Sequence, residues 1–488
     1  MTYDIRQMIA SRRGQLSLEV LFFAAIVVVL ITGFVFWALS FLQLSVRSFN
    51  RSLAFSIAES GIEYYRWHLA HDSDDFWDGQ GSTSTGPYTH NYYGKNGDII
   101  GQFILDITPP PIGSTVVTIE STGKVVADNS VEKIIEVRMG IPSFAKYAVA
   151  ANDTMRFGEG TEVFGEIISN GRIRFDGFAH NIVKSALPTS TDTDYDACTS
   201  NVWGVHTCVD PDDPAPPTPA PSRPDVFAAG REFPVPAVNF DGLTQDLSSL
   251  KTLAQTDGLY APSSSASGYD LVLKTDGTFV LYKVNSLVSP PGGCNDYLGQ
   301  SGWGTWSVQS ESVYASGTLP SNGIFFVEDN LWVRGQIDDA RLTIVSGRFP
   351  DNPSTRTSIT VNSDILYTNY DGTDVIALIA QNNINIGMVS ADDFRIDAAL
   401  VAQNGRVGRY YYRPPWWFFN GCYPYHERYR VVSYGMIGTN QRYGFAYTDG
   451  TGYEVRDLIY DANLLYGPPP SFPLTSDNYV QMSWEEIK

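Results

Sequence analysis

Side chains able to ligate, titrate or stack fall into a few clusters along this chain. Asp192, Asp194 and Asp196 alternate as the first three oxygen ligands of a calcium loop would. The sixth position of such a loop is Ala197 and the twelfth Trp203, where glycine and a bidentate glutamate belong, so a solvated acidic loop competes with a looser calcium site. Asp392, Asp393 and Asp397, and separately Asp338 and Asp339, are carboxylates of the kind that flank a glycosidic bond. They have no accompanying histidine- or lysine-bearing motif. No Gly-x-Ser-x-Gly elbow, phosphate-binding glycine loop or His-Glu-x-x-His occurs either. The reading is a protein that is not an enzyme, has no catalytic residues and needs no cofactor, with a β-helix polysaccharide-cleaving enzyme as the remote alternative.

The sharpest candidate surface is residues 410–430, YYYRPPWWFFNGCYPYHERYR, where Arg406, Arg409, Arg413, Arg428, Arg430 and Arg442 gather in a chain of formal net charge −20. Aromatic faces interleaved with arginines can stack on sugars or unpaired bases while the cations hold phosphate or uronate. Arg409, Arg413, Trp416, Trp417, Tyr425, Arg428 and Arg430 are therefore the candidate ligand surface, for a glycan or DNA. The competing reading has Trp416, Trp417, Phe418 and Phe419 plugging the side of the fold. The acidic balance argues against general nucleic-acid binding. Four cysteines allow three pairings, and spacing does not choose among them. In an oxidising exterior Cys198–Cys208 and Cys294–Cys422 are the expected bonds, each closing an irregular excursion. No CxxC or HxxxH spacing for zinc is present.

The element that would carry these clusters outside a cell starts near the N-terminus. From Val20 to Leu39 the chain reads VLFFAAIVVVLITGFVFWAL without a charge, long enough to cross a bilayer as a helix. Arg12 and Arg13 ahead of it would keep the leader cytoplasmic. Glu19, at the edge of the apolar run, is expensive unless partnered and is a functional candidate for that reason. Leu42, Val46, Phe49, Leu53 and Ile57 continue at helical spacing. The predicted helix runs from about Ser17 to about Leu69, near 80 Å at 1.5 Å per residue. An ordinary single-span anchor would account for the apolar run alone.

The set Arg12-Arg13-Gly14-Gln15-Leu16-Ser17-Leu18-Glu19, followed by the apolar run, resembles the type IV pilin family. Ala58-Glu59-Ser60-Gly61-Ile62-Glu63-Tyr64 at the end of the helix is similar to the PilX-type minor pilins. The resemblance implies cleavage by a prepilin peptidase after Gly14, leaving Gln15 as the first mature residue and Glu19 as the fifth. Glu19 would then pair with the α-amine of a neighbouring subunit during filament assembly. Gln15 departs from the more usual phenylalanine or methionine and could cyclise, removing its own amine. The implied partners are other pilin subunits, the assembly machinery, the peptidase and, before assembly, membrane lipid.

Strand-like runs follow over 99–107, 115–121 and 131–139, after a loop over 72–95. Beyond Phe144 short apolar strands recur, each with an asparagine or glycine turn. ALIAQN at 377–382 and ALVAQN at 399–404 match at five of six positions, 22 residues apart. A strand and its turn recurring as one unit predicts a β-solenoid in which turn asparagines take left-handed conformations and stack; a β-sandwich is the alternative. Such a head resembles the solenoid ectodomains appended to some PilX-like proteins.

The expected fold class is α+β. It comprises a leader (1–14), a transmembrane and pilin spine helix (15–70), a small antiparallel β head (71–143) and first solenoid rungs (144–186). An insertion (187–320) follows, with an extended proline-rich linker over 211–236, a helix over 241–257 and a hairpin at 269–284. Further rungs (321–446) and a C-terminal cap (447–488), whose tail from Gly467 onward cannot continue a sheet and lies across the head, complete it. The expected function is a structural minor pilin-like subunit, single-pass in the cytoplasmic membrane and then at the cell surface, its bulky head used for adhesion or for tip and priming contacts. A non-polymerising anchored receptor is the alternative.

Overall fold

The computed structural model describes residues 5–82, 86–111, 113–240, 247–300, 302–442, 444–474 and 478–488, with side chains from residue 16 onward. The fold class is α+β. The chain divides into two compact units, one of residues 1–109, 116–140 and 478–488, the other of 110–115 and 141–477.

The first unit is built on α1 (Ile5–His71). It begins earlier than Ser17, because no proline interrupts the stretch ahead of it. The processing positions Gly14 and Gln15 belong to the part of α1 whose side chains lie outside the described residues. Residues 20–36 are exposed along every face, as a helix surrounded by lipid would be, and the segment is long and apolar enough to cross a membrane. Further along, Ala54, Ile57, Ala58, Ile62, Tyr65 and Leu69 recur at three- and four-residue spacing and are buried against a sheet.

That sheet is antiparallel, in the order β1 (Tyr88–Tyr93), β2 (Ile99–Thr108), β3 (Val116–Val125), β4 (Asp128–Gly140) and a last strand, Val480–Glu486. It corrects two expectations. β1 lies inside the stretch read as a loop, and the C-terminal tail does continue a sheet. Its prolines end at Pro473, and the alternating VQMSWEE after them is free to pair with β4.

The second unit is a stack of parallel ladders. The two repeated segments lie one above the other in register, Ala377 on Ala399, Leu378 on Leu400, Ile379 on Val401 and Ala380 on Ala402. The same column runs in one direction through Ile344 and Phe325 to Leu259. In the other it passes through Ile437 and then, across a jump in sequence, Val149, Ile167 and Val183 to Arg231. The N-terminal rungs are thus seated on the strand Glu427–Thr439 near the end of the chain. This is the geometry of a solenoid whose stacking order differs from its sequence order.

Alternation within each strand explains the continuous apolar runs, because both faces are covered. Phe325, Ile344, Leu378, Leu400, Ile437, Val149 and Ile167 fill the interior. Their neighbours Phe326, Val345, Ile379, Val401, Ala150 and Ile168 point outward under a second layer made by Leu247, Leu250 and Ala254 of α2 (Leu247–Thr256), with Leu464 and Phe472. The remainder of the expected helix, 241–246, lies outside the described residues.

The turn asparagines stack but do not take left-handed conformations; among the described residues Asn152, Asn170, Asn404 and Asn440 have ordinary φ. Asn170 Nδ2 donates to Asn152 Oδ1 and Asn152 Nδ2 to Asn440 Oδ1, each at 2.8 Å, so a side-chain ladder crosses the same sequence jump.

The proline-rich segment is not an extended linker. Val226 and Phe227 are buried in the interior, Phe227 bridges Ala179, and Arg231–Glu232 adds a rung to Val183–Lys184. Apolar residues between the prolines gain more from that burial than the segment loses in freedom. The expected hairpin is present as Gly268–Leu273 with Thr278–Leu287, and it acquires a third strand, Val308–Thr318, whose polar VQSESVYASGT gave no apolar signal.

Close approach of α1 to its sheet yields a test. A Cβ added at Gly123 would lie 2.0 Å from the Ala54 carbonyl oxygen and 2.5 Å from the Ala58 nitrogen. Alanine normally favours a strand over glycine. At this position Gly123→Ala should instead cost about 1–3 kcal/mol, because backbone, not a flexible side-chain end, must move. Denaturant unfolding of the full chain followed through unit-one probes checks this, and unchanged or raised stability would contradict the packing.

Candidate functional site

The strand Val407–Arg409 is paired with Ile384–Ile386, after which the chain leaves the stack and returns at Glu427. The excursion is anchored from inside. Arg409, placed on the candidate surface by its sequence neighbours, is fully buried, and this corrects that assignment. Its guanidinium donates to the carbonyls of Gly387, Met388 and Tyr425 and to Ser390 Oγ, and sits 4.7 Å from the Tyr412 ring centroid. Burial lowers its pKa, and main-chain dipoles and aromatic faces compensate the charge. Cys294 and Cys422 are bonded beside it and pack with Met388, Tyr410 and Tyr412.

Above this base the chain makes a tight turn. Trp416 and Phe419 exchange backbone hydrogen bonds at 2.9 Å in both directions, and their rings stack. Trp417 has φ +53°, a left-handed conformation that costs a non-glycine residue about 1–2 kcal/mol. Gly421, at φ +52°, passes so close to the Arg413 and Pro414 carbonyls that a Cβ would lie within 2.6 Å of both. Arg413 is sandwiched, 4.1 Å over the Tyr297 ring and 4.9 Å over Trp416. The two tip side chains, Trp417 at 83% and Phe418 at 95%, are exposed, with Trp416 at 51% and Phe419 at 63%. They do not plug the side of the stack.

The structure therefore brings Arg413, Trp416 and Trp417 together and separates the rest. Tyr425 is half-buried under the Arg428 guanidinium, which donates to the Met388 carbonyl at 3.0 Å. Arg430 is taken by Asp457. Sequence reasoning missed Tyr297, which comes from the earlier excursion that the Cys294–Cys422 bond ties to this one.

The aspartate triplet has a different fate. Asp192 is bonded to Arg172 at 2.8 Å and His206 at 3.2 Å. Asp194 takes both nitrogens of Arg442 at 2.7 and 2.9 Å, and Asp196 is held by Arg156 and Arg174. Guanidinium groups occupy the positions a calcium ion would need, so the calcium candidate is withdrawn. Asp192, His206 and Cys208 also bring ligand-type atoms within 4.8 Å of one another, but the Cys208 sulfur is bonded to Cys198 and has no thiolate to offer. The network fastens the 186–208 excursion to the stack. It was not legible beforehand, because its arginines come from separate rungs, Arg442 lying 248 residues from Asp194.

Three of the other carboxylates are also in use. Asp397 is buried and accepts from Tyr367 N at 3.0 Å, Tyr370 Oη at 2.7 Å and Arg395 Nε at 2.7 Å; burial raises its pKa. Asp392 Oδ1 accepts from Tyr429 N at 3.1 Å. Asp338 Oδ1 accepts from Asn369 Nδ2 at 2.9 Å. On α1, Glu19 is exposed at the edge of the apolar segment.

No known family's sequence profile matches the chain, and no curated protein matches it. Among solved structures, the competence-associated pilin ComZ from Thermus thermophilus aligns over 90% of this chain and 97% of its own, at 12% identity and a TM-score of 0.31. A likeness of that size carries no argument of its own.

The arginine–aspartate network makes acid sensitivity testable. Its hydrogen bonds to Arg156 hold the Asp196 carboxyl down at about 2, below the ordinary carboxylate range. A carboxyl depressed on folding contributes stability that is complete above about pH 4–5 and is lost as pH falls towards about 2. The contribution of Asp196 to the melting temperature should therefore be nearly constant from pH 7 to 5 and fall below about 4. Asp196→Asn should lower the neutral plateau and flatten the acid limb; parallel limbs in the two proteins would contradict the role assigned to Asp196.

Proposed function

We propose that this chain is a membrane-inserted, pilin-like structural subunit of a type IV pilus or related filament. A prepilin peptidase cuts it after Gly14, and it assembles with other pilin subunits through α1. The observation that carries this reading is the order of features along one helix. A basic leader, Gly14, Glu19 and an uncharged span of bilayer length continue without a break into a face that packs on a small antiparallel sheet. Glu19 pairs with a neighbouring subunit's amine and is thereby neutralised in the apolar filament core. The second unit is too bulky to repeat at every position of a thin filament, so the subunit is a minor one, at the tip or in a priming complex, with its head used for adhesion.

An anchored receptor that never polymerises uses the same span. The two are separated by intact mass and N-terminal sequence of the chain from sheared filaments and from membranes. A mature start at Gln15 in the filament fraction, with Glu19→Ala retained in membranes but lost from filaments, is the expected result. A start at Met1 found in membranes alone would overturn the filament reading.

A further inference from the structure

The four residues Trp416, Trp417, Phe418 and Phe419 present a convex apolar tip rather than a pocket. Their exposures correspond to about 400–700 Å² of aromatic surface, taking 150–250 Å² for each fully exposed ring. A monomer rarely leaves so much contiguous apolar surface without a partner. It is nevertheless less than the roughly 800 Å² per partner of a stable protein–protein interface.

The chemistry of the tip narrows the partner further. Its side chains carry no polar atoms except two indole N–H groups, so the hydroxyls of a sugar would be desolvated without partners. The cations that would hold a phosphate or uronate are engaged within the fold: Arg409 is buried, Arg413 lies over the Tyr297 and Trp416 rings, Arg428 is directed at main-chain carbonyls and Arg430 is paired with Asp457. Charge complementarity thus points to a neutral, apolar partner. Exposed Tyr423, whose backbone N–H donates to the Asn420 carbonyl next to the tip, is the amphipathic type of ring that settles at a membrane–water interface. The disulfide, the Trp416–Phe419 turn and the sandwiched Arg413 fix the shape beforehand, so little ordering accompanies contact.

We propose that the Trp416–Phe419 tip inserts into the surface of a neutral lipid bilayer, as the contact through which the head adheres. The inference rests on the adhesive reading of the head and not on filament incorporation.

The test uses the full chain held in nanodiscs by α1 and mixed with phosphatidylcholine vesicles whose acyl chains are brominated. The nanodisc complex should float with the vesicles, and its tryptophan fluorescence should be quenched. Trp417→Ser with Phe418→Ser should cut the bound fraction about tenfold or more, since each ring is a large part of the inserted area. Trp417→Phe should retain docking, and added phosphatidylserine should not strengthen it. Circular dichroism matching the wild type shows that the double variant folds, as expected for side chains that are almost wholly exposed. Failure of the wild-type chain to float, or equal flotation of the double variant, would overturn the proposal. So would binding to neutral oligosaccharides or DNA that the double variant abolishes while vesicle docking is absent. Loss of docking in a chain that still enters filaments would leave the pilin reading intact.

Discussion

Parallel stacking in register governs the second unit, and its decisive contact is made between residues far apart in sequence. Ile437, Gly438 and Thr439 pair with Val149, Ala150 and Ala151. Without that pairing the early rungs would have an open ladder edge, a row of unpaired backbone groups and an uncovered interior. The seam is reinforced twice, by the Asn440–Asn152–Asn170 side-chain ladder and by Arg442 reaching Asp194. It also dictates what the rest of the chain must do. With Arg231 ending one side of the stack and Leu259 the other, the segment between them has to travel the length of the column. Among its described residues, Phe240 and α2 cover the outward row of side chains that the stacking leaves exposed.

Two buried charge arrangements show how excursions are tied to this scaffold. In one, four arginines neutralise the carboxylates of Asp176, Asp192, Asp194 and Asp196, so an acidic loop is held by ion pairs rather than by a metal. In the other, Arg409 has carbonyls and tyrosine rings around it, and its charge organises the base of the aromatic loop. Removing Arg172 or Arg409 would leave buried acceptors without donors, a larger loss than the net worth of the bonds themselves.

Local patterns were legible in the sequence where they repeated or carried a period. The ALIAQN and ALVAQN segments gave the rung spacing, the helical period from Leu42 to Ile57 gave the outer half of α1, and Asp276-Gly277 gave the hairpin turn. Long-range relations were not. The seam between Ile437 and Val149 has no signature, because any apolar strand of matching length can stack on any other. Composition misled at Pro211–Pro236, where prolines suggested a linker and Phe227 instead entered the core. It misled again at the tail, where Val480–Glu486 completes a sheet. At the candidate surface, residue types identified the loop but not its polarity. Burial of Arg409 and exposure of Phe418 follow from a turn whose geometry depends on Tyr297 and Cys294, more than a hundred residues upstream.

Whether one continuous stack runs through the junction between chain-distant rungs is read by amide hydrogen exchange on the full chain. If the seam is interior, the amides of residues 149–151 and 437–439 should exchange as slowly as those of 378–380 and 400–402, near the global unfolding limit. Fast exchange confined to 149–151 and 167–169, with 378–402 still protected, would mean that the early rungs form a separate and weaker body, and would contradict a single continuous stack.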